Sequence, residues 1–225
     1  MTRPDKSPNA ISPGFETDLL SVPIASILPV KQLPVTVPKS QKYAQITASI
    51  REVGLIEPPV ISRTKGQSDT FILLDGHVRL LVLKELGERL MAQQNILMEN
   101  WSLDAGDLSN LEAEIEMLLF ETIRVTRQTK AGAWIMRSMH ATPVLAGVRV
   151  ESHRHVARLL AERIIKTRPD LDHGRILPSA RLSVEIGYAV VEMVFDEPSI
   201  DEGEILRQTA SMLAFSLRQA MSHQA

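Results

Sequence analysis

Apolar residues along this chain follow two rhythms, a mixed one up to about residue 90 and a helical one from about residue 109. Ahead of both, residues 1–21 are rich in Pro, Ser, Asn and Asp and are expected to form a flexible arm. Residues 22–28, VPIASIL, read as a short strand whose proline stands at the start, where a missing N–H is tolerated. Residues 29–38 hold three prolines and should be extended and irregular. Tyr43, Ile46, Ile50 and Val53 recur at spacings of three and four, which predicts a helix over 39–53 with that face on a small sheet. Gly54 ends it, since a left-handed C-cap is cheap only for glycine. Glu57-Pro58-Pro59 forces extended backbone. Val60-Ile61 and Phe71-Ile72-Leu73-Leu74 read as two short strands joined by a polar turn over 64–69. Asp75-Gly76-His77 breaks the second strand, and apolar positions 78, 81, 82 and 86 predict a helix beyond it. A glycine turn at a helix N-terminus presents backbone N–H groups and a positive dipole end. Arg79 lies in that first turn, where a cation opposes the dipole unless it faces an anion.

Residues 88–98 can continue this helix, but Asn95, Gly106 and the cap-like Asp104 and Asp107 argue for a break before Leu108. Five helices follow with no strand signal. Ser109-x-x-Glu112 reads as a capping box opening the first, whose inner face is Leu111, Ile115, Leu118, Leu119, Thr122 and Val125. The second runs from about Thr129 to His140, with Pro143 marking its end, and the third over 150–168. Leu177-Pro178 opens the fourth, over 179–195, and Asp201 caps the fifth, over 202–223. The pattern predicts an α+β domain over 22–90, a linker over 91–108 and an all-α domain over 109–225. The last two helices are apolar on more than one stripe: Leu182, Ile186, Val190 and Met193 on one, Leu206, Met212, Leu213, Phe215 and Leu217 on the other. A monomer rarely leaves several hundred Å² of such surface in water, so they predict a four-helix homodimer interface.

Composition narrows the chemistry. With no cysteine, disulfides, thiol catalysis and Cys-type zinc sites are excluded, which fits a reducing cytoplasm. Lys and Arg number 11 against 9 acids in residues 1–90 and 14 against 18 in 91–225, so neither half is a strong polyanion-binding surface. Aromatic residues make up 4%, too few for stacking platforms on single-stranded nucleic acid. No apolar run approaches the roughly 18 residues that span a bilayer, and the N-terminus has no signal-peptide core. His153 and His155, two apart, point to different helix faces and do not form the i, i+4 zinc pair.

Two resemblances add to this reading. Gly54-Leu55-Ile56-Glu57-Pro58-Pro59-Val60, the run from Leu73 to Leu80, and Leu83-Lys84-Glu85-Leu86-Gly87 look like the N-terminal domain of ParB/RepB partition proteins, over about 22–87. That resemblance implies a pocket which in some members binds a cytidine nucleotide, here shaped by Gly54, Glu57, Gly76, His77 and Arg79. The family's usual Gly-Glu-Arg-Arg motif falls on Gly76, His77, Val78 and Arg79; the acid and one arginine are replaced, so anion binding is expected and hydrolysis is not. Arg137–Leu145, His155–Arg163 and Glu204–Thr209 are similar to the C-terminal domain of TetR-type repressors, over about 111–222. That resemblance implies dimerisation through the final helices and a small apolar effector between the inner ones, with Trp134, Met136 and Tyr188 as candidate lining. Neither family's helix-turn-helix is present. The expectation is a DNA-associated regulatory or partition-type homodimer that meets DNA directly through its basic arm and first domain, or through a partner. The alternatives are a nucleotide hydrolase or nuclease on the same first domain, and an effector-binding regulator whose working part is helical.

Overall fold

The structure, a computed structural model, describes residues 27–29, 33, 34, 36–55, 57, 59–63, 71–141 and 143–222. The expected arm, most of the first strand and the polar turn over 64–69 lie outside them. Three short strands form one sheet: β1 (Ile27–Pro29), β2 (Val60–Arg63) and β3 (Phe71–Asp75). β3 is central, parallel to β1 and antiparallel to β2. The helices are α1 (Gln41–Val53), α2 (His77–Asn100), α3 (Leu111–Gln128), α4 (Gly132–Ala141), α5 (Pro143–Thr167), α6 (His173–Asp196) and α7 (Glu202–Met221).

Several helix ends follow from single side chains. Ser40 Oγ accepts from Tyr43 N at the start of α1, and Gly54, at φ 77°, ends it. Asp201 accepts from Glu204 N at 3.0 Å and starts α7. The capping box expected at Ser109 does not form. Asp107 Oδ1 takes the Ser109 N–H at 3.0 Å instead, and Asn110 precedes α3 without a side-chain cap. Pro143 opens α5 rather than marking a gap, because a proline's missing N–H costs nothing at the first helical position. α6 begins at His173, ahead of Pro178, with Asp172 accepting from Gly174 N.

The expected α+β first domain is not what forms. The described chain is mostly helical, and its small sheet is an appendage to a helical body. The reason lies in Gly87, the last residue of the ParB-like match, beyond which the helix continues as its pattern allowed. It sits in the middle of the 24-residue α2, where a Cβ would come within 3.0 Å of Met139 Sδ. The glycine is there for close packing of α4 on α2, not for a cap. Beyond it Leu90, Met91 and Gln94 are buried, so the residues expected as a linker begin as the last turns of α2. One apolar core runs without a break from Tyr43 and Ile50 in α1 to Met221 in α7. α1 packs chiefly on α2, and Val53, expected on its inner face, is exposed.

Five helices close a ring. α2 packs on α5, α5 on α6, α6 on α7, α7 on α3, and α3 returns to α2. The α3–α7 pair is antiparallel, pinned by Arg127–Glu202 at 2.7 Å and Arg218–Glu112 at 2.9 Å. α4 plugs one end, with Ile135, Met136 and Met139 buried.

Candidate functional site

Two concave sites come out of this packing. The first is the glycine turn. Gly76 caps α2 in the left-handed region at φ 99°, and a Cβ there would lie 3.1 Å from Pro59 Cβ. Both constraints demand glycine. Gly54, Glu57 and Arg79 come together on a cavity of about 190 Å³, shared with Ile46, Ser49, Ile50 and Leu55. His77 opens α2 beside it, with Nε2 buried and without a hydrogen-bond partner. Arg79 Nη2 donates to Glu57 Oε2 at 2.9 Å and to Asp75 Oδ2 at 3.2 Å, and Nη1 donates to the Glu57 carbonyl at 3.1 Å. The cation at the helix start thus faces its anions within the chain. Among the described residues one guanidinium stands against two carboxylates, so an incoming phosphate competes with both for it.

The second site is the interior of the five-helix ring, an apolar cavity of about 90 Å³. α3 contributes Ile115 and Leu119, α5 Val156 and Leu160, α6 Val184, Gly187, Tyr188 and Val191, and α7 Leu213 and Leu217. Half-buried Leu97, Met98, Trp101, Leu118 and Thr122 line its rim between the end of α2 and α3. Within this apolar wall stands Gln94, 3% exposed. Its Nε2 donates to Thr126 Oγ1 at 2.8 Å and approaches Met136 Sδ at 3.8 Å. Thr126 gives its own hydroxyl proton to the Thr122 carbonyl at 2.7 Å. Thr126 therefore accepts from Gln94, which fixes the amide orientation and leaves Gln94 Oε1 buried without a donor.

No family model, curated protein or solved structure matches the chain.

Of the three effector-lining residues named from the sequence, Tyr188 alone lines the cavity. Met136 sits behind Gln94, and the Trp134 indole lies over Gly54, its atoms 3.4–3.5 Å from where a Cβ would be. Gln94 escaped sequence reading because MAQQNILMEN looks like a polar helix surface. The spacing 83, 87, 90, 94 continues the buried stripe of α2 and was the available signal.

Tyr188 is a partition between the cavity and a polar cluster. Its ring stacks on His153 with centroids 3.9 Å apart, and burial pushes its hydroxyl above the usual tyrosine range. Burial also pulls the His153 imidazole down to about 4, so it is neutral at pH 7. Its Nδ1–H then donates to Glu185 Oε2 at 3.2 Å, a carboxylate that also meets Arg149 and Arg181.

The outer side of α6 and α7 carries a different character. Arg181 and Glu185 mark the flank of α6 that faces α5, and Arg218 marks the flank of α7 that faces α3. The opposite flanks therefore adjoin. On α6 they read Leu182, Ile186, Ala189, Met193; on α7, Ile205, Gln208, Met212, Phe215, Gln219; Asp196 and Glu204 add charge only where the two helices meet, Glu204 accepting from Gln208 Nε2 at 2.7 Å. Leu182, Met212 and Phe215 are 56%, 52% and 64% exposed, whereas Val190, Leu206, Leu213 and Leu217, expected on the same stripes, turn into the core. Across α7, Met117 and Phe120 of α3 are exposed as well. No described helix is long and apolar enough to cross a membrane.

Proposed function

We propose that this chain is a cytoplasmic, ligand-responsive regulatory homodimer, in which the helical ring takes a small molecule and the outer side of α6–α7 pairs with a second copy. One observation carries the reading: the same two helices supply the cavity wall on one side and the uncharged, exposed stripe on the other. Ser183, Val184, Gly187, Tyr188, Leu213 and Leu217 face the cavity, while Leu182, Met212 and Phe215 face out. A molecule that shifts α6 against α7 alters the surface presented to the partner copy. A two-fold pairing of that stripe matches like with like, apolar on apolar, and meets no buried charge. A stable dimer of this kind covers about 1,200–2,000 Å² in total. On this reading association with DNA runs through a partner protein. The carboxylates around Arg79 weigh against a nucleotide-driven, partition-type mechanism.

Sedimentation equilibrium over the micromolar range tests the pairing. The expected result is a reversible dimer for the natural chain and a monomer with unchanged helical content for the Leu182→Glu, Phe215→Glu double variant. A natural chain that stays monomeric throughout that range removes the proposal.

A further inference from the structure

The outer flanks of α6 and α7 make a small face by themselves. A standard interface draws about 20–30 residues, roughly 800 Å², from each partner. The two flanks supply nine side chains, and only Leu182, Met212 and Phe215 among them are large apolar groups more than half exposed. Two more exposed apolar groups stand on α3, Met117 and Phe120. They are three residues apart and point the same way. α3 packs on the other side of α7, and the Glu112–Arg218 and Arg127–Glu202 pairs fix the register. Counted inward from the first pair, Met117 is five residues along α3 and Leu213 five residues back along α7. Across the turn between α6 and α7, Leu182 is fourteen residues back from Asp196, and Ser216 fourteen on from Glu202. Phe120, Met117, Met212, Phe215 and Leu182 therefore lie within about two helical turns in height, on three adjacent helices. At that height the exposed α7 residue between the two groups is Ser211, polar and uncharged.

Resting on the pairing proposed above, we infer that the second copy covers a three-helix face, α3–α7–α6, with α7 at its centre. A two-fold through that face sets α7 on its own copy. Where the two α7 helices run antiparallel, α3 meets α3 and α6 meets α6; where they run parallel, α3 meets α6. Both arrangements lay Met117 and Phe120 on apolar surface, and neither asks for a different partner protein. The charges around the face are answered within one copy. Glu112, Glu121 and Glu204 pair with Arg218, Arg124 and Arg207, and Glu116 lies in the field of Arg207. An apolar centre of Phe, Met and Leu inside a rim of paired charges is the usual anatomy of a protein–protein interface. A separate partner seated on α3 alone would hold two large apolar groups and leave the dimer short of area. The three helices of this face also supply Leu118, Tyr188 and Leu213 to the ring cavity, so its walls on that side are the helices that meet the second copy.

The test compares Phe120→Glu, Phe215→Glu and Ile96→Glu with the natural chain by sedimentation equilibrium. Ile96 is the control, an exposed apolar residue on α2, which stands across the ring from α6 and α7. Phe120→Glu and Phe215→Glu are each expected to raise the dimer Kd by about tenfold or more, because a carboxylate would be buried there without a partner. Ile96→Glu is expected to leave it unchanged. A second measurement reads the covering directly. The chain has no cysteine, so Met117→Cys carries a single thiol, whose alkylation rate follows its exposure. That rate is expected to fall several-fold as the protein concentration is raised through the dimer transition, while the rate for Ile96→Cys stays constant. If Phe120→Glu does not fold, the Met117→Cys rates decide. A dimer weakened by Phe215→Glu but not by Phe120→Glu, or a Met117→Cys thiol equally reactive in monomer and dimer, overturns this inference and leaves the α6–α7 pairing in place. Equal weakening by Phe120→Glu and Ile96→Glu also overturns it. A natural chain that is monomeric throughout overturns the pairing and this inference together.

Discussion

Two glycines inside long helices give opposite expectations for one substitution. Replacing a helix-interior glycine by alanine gains about 1 kcal/mol from backbone propensity alone. At Gly187 the new methyl would lie 3.3 Å from Leu119 Cδ2, and both residues border the ring cavity, so Leu119 has space to give. Gly187→Ala is expected to stabilise by about 0.7 kcal/mol, which raises Tm by about 2 °C in a chain of this length. At Gly87 the methyl would lie 3.0 Å from Met139 Sδ and 3.4 Å from its Cγ, and Met139 is 1% exposed within the plug of α4. Overpacking of that kind costs about 1–3 kcal/mol and exceeds the propensity gain. Gly87→Ala is expected to destabilise by about 1 kcal/mol, lowering Tm by about 3 °C. Urea and thermal unfolding followed by circular dichroism would measure both. If the two variants shift in the same direction by similar amounts, the close approach of α4 to α2 and the slack beside α6 are both wrong.

Two further expectations rest on charge. The His153 imidazole is depressed in the folded chain from 6.5 to about 4, so the unfolded state binds more protons between those values, and stability present at pH 7 is lost as pH falls through that window. The loss at pH 5 is about 2 kcal/mol. Glu192, raised by burial, works in the opposite sense, so the deciding measurement is the difference between the natural chain and His153→Asn, whose profile is expected to be flatter from pH 7 to 5. At the glycine turn, cytidine triphosphate is expected to leave Tm unchanged, because Glu57 and Asp75 already hold Arg79. Arg79→Ala is expected to cost less than about 1 kcal/mol, since both carboxylates are largely exposed. A nucleotide-induced rise in Tm that disappears in Arg79→Ala would refute this expectation and support an anion site at the turn.

What could be read from the sequence was local. Gly54 and Asp201 mark helix ends because a cap is a property of three or four adjacent residues. The glycine turn at Gly76 was legible for the same reason, as was the surplus of apolar positions on α6 and α7. The docking of α2 into the helical body was not, because the close packing that Gly87 permits depends on Met139, far along the chain. Gln94 needed tertiary knowledge too: its neighbours along the chain are polar, and its partners Thr126 and Met136 are 32 and 42 residues away. Trp134 was expected to line a cavity from the TetR-type resemblance, but α4 lies outside the ring and turns that indole toward Gly54.

The contact between Gly87 and Met139 falls part-way along a rod. α2 runs 24 residues, about 36 Å, from the turn at Gly76 to the rim of the cavity. With about 15 Å of helix on one side of that contact and about 20 Å on the other, it is placed as the pivot of a lever. A rigid swing of about 5° there would carry the two tips more than about 1 Å in opposite directions, so the turn that holds Arg79 and the rim of the cavity are the two ends of one stiff element.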